Sequence, residues 1–266
     1  MTKHAPYMQG AEPFFQPGNG VGCLVLHGFT ASPAEVRWLA QYLGGCGFTV
    51  YAPRLAGHGT NPRDLTRTTW HDWYASALDG YHLLRQTCEQ VFIVGHSMGG
   101  MLALLLSTEL EIAGVAVLAT PIRFSSRAMA NARWIKYALP YTNQPDTTSL
   151  PQLIREEQTR RGEAPLGRVR YDLWSSAAVA QLYALANYVD TQLPQVKAPL
   201  LLIYSHGDTT AKVWQGDHIA SKVASQHIER RTLENSGHIV TQDVEREQVF
   251  AWVAEFVQQI AIPPKS

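Results

Sequence analysis

The sequence predicts an α/β fold, in which a mostly parallel central sheet carries helices on both of its faces. Short apolar runs alternate with amphipathic segments of helical period along nearly the whole chain, as expected for strands joined by crossover helices. One stretch breaks this alternation, because residues 122–173 contain four prolines and scattered charges but no strand pattern. We therefore expect one core built from residues 1–121 and 174–266, with residues 122–173 inserted over the functional site as a small cap.

The composition argues against several classes of function. Lysine plus arginine and aspartate plus glutamate each number 22 among 266 residues, so no basic surface for nucleic acid is predicted. Cys23, Cys46 and Cys88 have neither metal-ligand spacing nor the number of a disulfide framework. No metal or cofactor is expected. The first ten residues lack the apolar run of a signal peptide, and no run is long enough to span a membrane, so the expected location is the cytoplasm.

The first predicted helix has a well-marked start between two predicted strands. The strands are the apolar runs at residues 22–26 and 48–52. Between them, Ser32 can cap a helix, Pro33 suits its first turn, and Glu35 completes a capping box. The same reasoning predicts later elements: strands at 91–94, 115–118, 200–204 and 228–233, and helices from 70 to 84, from 98 onward, from 175 to 189, and at the end of the chain after a capping Asp243.

The centre of the prediction is the strand, sharp turn and helix at residues 91–104, which contain Gly-His-Ser-Met-Gly at positions 95–99. This spacing is typical of a nucleophile elbow. A serine at the tip of so tight a turn takes an unfavourable backbone conformation, and Gly95 and Gly99 let the chain pass close by. Ser97 is therefore the candidate nucleophile. The alternative is a glycine-rich turn in which the serine only caps the helix.

A serine hydroxyl needs a base and an acid to become a nucleophile. In a parallel sheet these groups should follow the carboxyl ends of strands. His238 follows the last predicted strand, and Asp208 follows the strand at 200–204. The resulting order of nucleophile, acid and base is the order expected for this architecture. Asp217 is the alternative acid, whereas His27 and His58 are interpreted as structural loop residues.

The backbone supplies candidate donors for an oxyanion. The N–H of Met98 begins the helix after the elbow, and the N–H of Phe29 lies in the loop after the strand at 22–26. Two such amides can face the same developing negative charge. The predicted oxyanion hole therefore consists of Phe29 and Met98.

Four blocks of sequence resemble the α/β-hydrolase fold, and within it the small-cap bacterial carboxylesterases and monoacylglycerol lipases. They are Leu-His-Gly-Phe-Thr-Ala-Ser-Pro at 26–33, Pro-Arg-Leu-Ala-Gly-His-Gly-Thr at 53–60, Arg-Thr-Thr-Trp-His-Asp-Trp at 67–73 and Gly-His-Ser-Met-Gly-Gly at 95–100. The resemblance implies the same triad and oxyanion hole. Two positions depart from it: His96, where close relatives often carry leucine, and Ala138, where the lipases would carry an acidic residue that contacts glycerol.

Together, the residues and the resemblance imply a cofactor-free serine esterase that cleaves carboxylic esters through an acyl-enzyme. Short-to-medium acyl esters are the expected substrates, and monoacylglycerols are a further candidate. The expected partner is this small-molecule ester, with transient contact to a lipid surface through the cap and no nucleic acid. The alternatives are a carbon–carbon bond hydrolase of the same fold and a ligand-binding receptor derived from it.

The insertion contains apolar side chains that could either line an acyl pocket or pack the cap onto the core. These side chains are Phe124, Met129, Trp134, Ile135, Tyr137, Leu139 and Tyr141.

Overall fold

A seven-stranded sheet forms the centre of the molecule. The structure, a computed structural model, describes residues 7–124 and 131–261. The strands in the described residues are Phe14–Gln16 (β1), Val21–Leu26 (β2), Thr49–Ala52 (β3), Gln90–His96 (β4), Gly114–Leu118 (β5), Tyr141–Asn143 (β6), Leu173–Ser175 (β7), Leu200–Ser205 (β8) and Ile228–Leu233 (β9). Strands β6 and β7 lie outside the main sheet and pair with each other. The order in the main sheet is β1-β3-β2-β4-β5-β8-β9. Only the β1–β3 pair is antiparallel in this described sheet, so the predicted, mostly parallel sheet is confirmed.

The helices flank this sheet in two groups. They are Arg37–Gly45 (α1), Pro62–Thr66 (α2), Trp70–Arg85 (α3), Met98–Glu109 (α4), Ala132–Ile135 (α5), Leu150–Arg160 (α6), Ser176–Gln192 (α7), Trp214–Lys222 (α8) and Arg246–Ile260 (α9). Helices α1 and α9 pack against each other, whereas α3, α4 and α7 contact one another. The predicted arrangement of a parallel sheet with flanking helices is therefore confirmed.

The middle of the sheet is covered on both faces. Every residue of β2, β5 and β8 is buried, and so is all of β4 except Gln90. This explains why these strands appear in the sequence as continuous apolar runs rather than as alternating patterns. Helix α4 is buried from Met98 to Ser107, as expected for a helix that is apolar on all sides. The strand that precedes Ser97 and the helix that follows it both lie in the core.

Two predicted helix caps do not form, because their side chains have partners elsewhere. The Ser32 hydroxyl donates to the carbonyl of Val169 at 2.9 Å, and the residues after it form one 3-10 turn before α1 begins. The Glu35 carboxylate turns into the protein instead of closing a capping box. Asp243 lies three residues before α9 and accepts from the N–H of Gly237 at 2.7 Å. A long-range contact has replaced capping at Ser32, and a contact within the preceding loop has replaced it at Asp243.

The segment between β5 and α7 is more regular than predicted. It contains α5, α6 and an antiparallel ribbon in which β6 pairs with β7, so the expectation of no strand there was wrong. Residues 125–130, including Met129, lie outside the described residues. The end of the segment is attached to the core, because the Tyr171 N–H donates to the Thr30 carbonyl at 2.9 Å and the Tyr171 hydroxyl donates to the Gly57 carbonyl at 3.0 Å.

The turn between β4 and α4 brings backbone against backbone. A Cβ added at Gly95 would lie 2.2 Å from the carbonyl oxygen of Gly99, and one added at Gly99 would lie 2.2 Å from the carbonyl oxygen of Leu26. Neither contact could be relieved by rotation of a side chain. The two glycines are therefore required for α4 to approach β4 and β2 so closely.

Replacing Gly95 with alanine should destabilise the protein by at least about 2 kcal/mol, because overpacked sites typically cost 1–3 kcal/mol and this clash involves backbone. Gly45→Ala is the matched control, since nothing lies within 4 Å of its added Cβ in α1. That change should be neutral or stabilise by up to about 1 kcal/mol. Urea unfolding of both variants measures the difference. A Gly95→Ala protein as stable as the wild type would contradict the packing described.

Candidate active site

Ser97 occupies the turn between β4 and α4 in a strained backbone conformation. Its φ is +53° and its ψ is −116°, a region that costs a non-glycine residue free energy. The turn is anchored on the sheet, because the Ser97 N–H donates to the carbonyl of Leu118 at 2.9 Å. The hydroxyl consequently stands at the amino end of α4, where the aligned peptide dipoles favour negative charge.

The structure brings together the three residues predicted to form a triad. The Nε2 atom of His238 lies 3.0 Å from the Oγ atom of Ser97, and its Nδ1 atom lies 2.8 Å from Oδ2 of Asp208. The His238 ring can therefore donate its Nδ1–H to the carboxylate and accept the serine proton at Nε2. This tautomer is the one a general base needs.

The Asp208 carboxylate is held as an anion. Its side chain is fully buried, and its second oxygen accepts from the N–H groups of Thr210 at 2.7 Å and Ala211 at 2.9 Å. Burial acts to raise the pKa of Asp208, but the hydrogen bond and charge of His238, together with these two amides, outweigh it and lower the pKa. The carboxylate can thus orient the imidazole and stabilise its charged form.

The predicted oxyanion donors are available. Within the described residues, the N–H groups of Phe29 and Met98 donate to no protein acceptor. The loop that carries Phe29 passes beside the nucleophile, since a Cβ added at Gly28 would lie 3.3 Å from the Cβ of Ser97. Thr30, the next residue, has a φ of +62°, a second strained position that shapes this loop.

A buried cluster beneath the serine was not found by sequence reasoning. Glu35 accepts from the Gly28 N–H at 2.8 Å, and the same oxygen lies 2.9 Å from Nδ1 of His96. A guanidinium nitrogen of Arg168 approaches the other carboxylate oxygen at 3.7 Å. The sequence signals were a glutamate at a predicted capping position and a histidine directly before the predicted nucleophile, and neither signal shows which partner the side chain reaches.

The electrostatics of this cluster favour charged groups. Burial acts to raise the pKa of Glu35, but His96, Arg168 and the Gly28 amide lower it to about 2. Burial acts to lower the pKa of His96, but the charge and hydrogen bond of Glu35 raise it. The two groups therefore stabilise each other's charged form.

The alternative titratable residues have structural contacts. His27 donates from Nδ1 to the Gly28 carbonyl at 2.9 Å and accepts from the Leu55 N–H at 3.2 Å, and burial lowers its pKa to about 4. His58 donates to the Ala56 carbonyl at 3.0 Å. The side chain of Asp217 is 61% exposed and pairs with Arg230 on the surface. None of these three residues contacts Ser97 or His238 through a hydrogen bond.

A cleft of about 1010 Å³ opens over Ser97. Of the insertion's apolar residues, Phe124 lines it, whereas Trp134 and Tyr137 are 63% and 78% exposed on the outside. Trp134 and Tyr137 are therefore not among the residues that line the cleft. Other residues along the cleft are Phe29, Gln144, Asp146, Leu150, Leu153, Arg168, Arg170, Trp174, Leu182, Lys212, Trp214 and Ile239.

Neither a metal centre nor a membrane span is found in the part of the chain that the structure describes. No three histidine, cysteine, aspartate or glutamate residues there are grouped so that they could hold a metal ion. No described helix combines the length and the apolar character needed to cross a bilayer.

Two bacterial proteins of known activity are similar to this chain over almost its full length. The thermostable monoacylglycerol lipase of Bacillus sp. strain H-257 is 32% identical over 96% of this chain and 98% of that protein. The carboxylesterase of Bacillus subtilis strain 168 is 29% identical over 94% of this chain and 97% of that protein.

Solved structures and a family model agree with this relationship. A structure of the metagenome-derived lipolytic enzymes LipS and LipT matches with a TM-score of 0.86 and 28% identity over 95% of this chain and 99% of that one. The monoacylglycerol lipase of Paleococcus ferrophilus matches with a TM-score of 0.75 and 18% identity over 94% and 98%, which shows the fold alone. Relatives at about 30% identity suggest esterase or lipase activity. The model of the alpha/beta hydrolase family matches residues 23–252, and this chain belongs to that family.

Proposed function

We propose that this protein is a serine esterase that hydrolyses carboxylic esters through an acyl-enzyme intermediate. One observation carries the proposal: Ser97, His238 and Asp208 form a continuous hydrogen-bonded series, with contacts of 3.0 Å and 2.8 Å, at a strained turn on the floor of a cleft. Residues that merely packed a turn would not require this order of nucleophile, base and buried carboxylate.

In the proposed first step, the Ser97 oxygen attacks the ester carbonyl while Nε2 of His238 takes its proton. Asp208 stabilises the imidazolium that forms and remains a carboxylate. The carbonyl oxygen becomes an anion, which the amides of Phe29 and Met98 are placed to receive. A single donor of this kind typically lowers the activation barrier by about 3–4 kcal/mol.

In the proposed second step, His238 gives its proton to the departing alcohol, leaving the acyl group on Ser97. The same imidazole then removes a proton from water, which attacks the acyl-enzyme and releases the acid. The 21% exposure of the His238 side chain supports this step, since the ring is accessible from the cleft while its other nitrogen stays with Asp208.

The substrate is proposed to be a short-to-medium acyl ester, with monoacylglycerols as a further candidate class. The cleft is lined by apolar residues such as Phe124, Leu150 and Trp174, but also by polar ones such as Gln144. Several of these residues belong to segment 122–173, which supports its proposed role as a cap on a core of residues 1–121 and 174–266. The relatives include both a monoacylglycerol lipase and a carboxylesterase. They are consistent with glycerol or with a simpler alcohol as the leaving group of the ester.

Replacing Ser97 with alanine should reduce kcat/KM for nitrophenyl esters by about 10⁴-fold or more, because loss of a triad nucleophile removes the covalent route. Ser107→Ala is the matched control: it is a buried serine of the same helix whose hydroxyl donates to Leu104 of its own turn. The control should retain activity within about twofold. Ester hydrolysis at full speed by the Ser97→Ala protein would overturn the proposed function.

Exchanging Asp208 for asparagine should lower kcat by about 10³- to 10⁴-fold, because the amide does not enforce the required tautomer of His238. The equivalent change at Asp217, an exposed residue of α8, should leave kcat unchanged. Steady-state kinetics of the two variants compare the chosen acid with its alternative. If only the Asp217→Asn variant lost activity, the assignment of Asp208 as the acid would be wrong.

A series of esters with increasing acyl length should show kcat/KM rising by up to about fourfold per methylene until the cleft is filled, since a buried methylene contributes about 0.8 kcal/mol. Monoacylglycerols with the same acyl groups test whether glycerol is recognised as the alcohol.

The same assays separate the competing functions. A vinylogous diketone should remain uncleaved, and its turnover in place of esters would identify a carbon–carbon hydrolase. Labelling of Ser97 by a fluorophosphonate without hydrolysis of any ester would instead indicate a ligand-binding receptor.

A further inference from the structure

Both ring nitrogens of His96 face hydrogen-bond acceptors. Nδ1 lies 2.9 Å from the Oε1 atom of Glu35, and Nε2 lies 2.9 Å from the backbone carbonyl oxygen of His238. The ring is 1% exposed, so water does not replace either partner. A neutral imidazole carries one N–H, and it would therefore leave one nitrogen lone pair against an acceptor oxygen. The imidazolium, with two N–H groups, satisfies both contacts.

The proton could in principle reside on Glu35, which would then donate to a neutral His96. Two contacts oppose that arrangement. The same Oε1 atom already accepts the Gly28 N–H at 2.8 Å, and the Arg168 guanidinium lies 3.7 Å from the other oxygen. Both contacts stabilise a carboxylate rather than a carboxylic acid.

The wider surroundings of His96 also favour its charged form. Each buried carboxylate nearby acts to raise the pKa of His96, and Glu35 has the stronger influence. Of the basic groups nearby, His27 has its pKa lowered to about 4 by burial, and the Arg168 guanidinium is also paired with Asp146. The titratable and charged groups around the ring are Glu35, Asp208, His27, His238 and, beyond Glu35, Arg168.

The Glu35–His96 pair connects the two loops that flank Ser97. Through Glu35 it holds the N–H of Gly28, the residue before the Phe29 amide. Through His96 it holds the carbonyl of His238 itself. A third bond, from the Thr241 hydroxyl to the Glu35 carbonyl at 2.7 Å, joins the same two segments. Charge-assisted hydrogen bonds are stronger and more directional than neutral ones.

We propose that His96, held as an imidazolium by Glu35, is a positioning residue that fixes the oxyanion loop and the loop of the general base relative to Ser97. This inference rests on the proposed esterase function. His96 does not contact the substrate, and its effect is exerted through the backbone of Gly28 and His238. Because sub-ångström placement of reacting groups controls the rate of acyl transfer, loosening either loop should affect the chemical step more than substrate binding.

Two variants separate the two connections. His96→Leu removes both N–H donors, so the His238 carbonyl loses its partner while Glu35 still accepts from Gly28. Glu35→Gln removes the negative charge, so the ring loses its second proton and the Gly28 amide loses a charged acceptor. Each variant should lower kcat for ester hydrolysis by about 10- to 100-fold while KM changes by less than about threefold.

Glu157→Gln is the matched control. Glu157 is also a buried carboxylate, 7% exposed, that pairs with Arg160, Arg161 and Arg246, but it does not line the cleft. Its replacement should leave kcat within about twofold at a temperature where all three variants are folded. If His96→Leu and Glu35→Gln keep the wild-type kcat, or lose activity only to the extent that Glu157→Gln does, the positioning role is refuted.

Nitrogen-15 NMR of histidine-labelled wild-type protein tests the protonation state without reference to activity. At about pH 7.5, one unit above the pKa of a free histidine, one ring should show two protonated nitrogens, and the signal should be missing from His96→Leu. A single protonated nitrogen on His96, assigned by comparison with His96→Leu, would overturn the inference whatever the activities of the variants. If Ser97→Ala hydrolysed esters as fast as the wild type while the doubly protonated His96 ring was present, only the proposed esterase function would be refuted.

Discussion

The backbone conformation of Ser97 is the constraint on which the rest of the site depends. A positive φ at a residue with a side chain persists only where the surrounding packing determines it. Here β4 and α4 both lie in the core, and the carbonyl of Leu118 on the neighbouring strand holds the Ser97 N–H. The chain at Gly95 and Gly99 has no space for a side chain. The strain is therefore maintained by the most buried part of the molecule.

Parallel topology brings distant residues to one edge of the sheet, but it does not by itself close the site. Asp208 follows β8 and His238 follows β9, which lie two and three strands away from β4. With strands roughly 4.8 Å apart, the loop after β9 must fold back by roughly 14 Å to bring His238 to Ser97. The bonds from His96 to the His238 carbonyl and from Thr241 to Glu35 hold the loop in that position.

Residues 122–173, the proposed cap, are attached to the loop that carries the proposed oxyanion donor Phe29. The final residues of this segment bond to the core at Thr30 and Ser32, immediately after Phe29, and Arg168 reaches Glu35 below. The same contacts therefore hold both the segment that forms one wall of the cleft and the loop that carries the proposed oxyanion donor Phe29.

The amino-acid sequence alone determined the alternation of strands and helices, the turn at Ser97 and the order of Ser97, Asp208 and His238. These features are encoded locally, in apolar period, in glycine spacing and in position after a strand. Only the tertiary structure decided the partners of Ser32, Glu35 and His96, because these lie up to 142 residues away in the chain. A side chain that fits a local cap in sequence takes a buried long-range partner when the fold supplies one, since an unpaired polar group in the core costs more than an unmade cap on the surface.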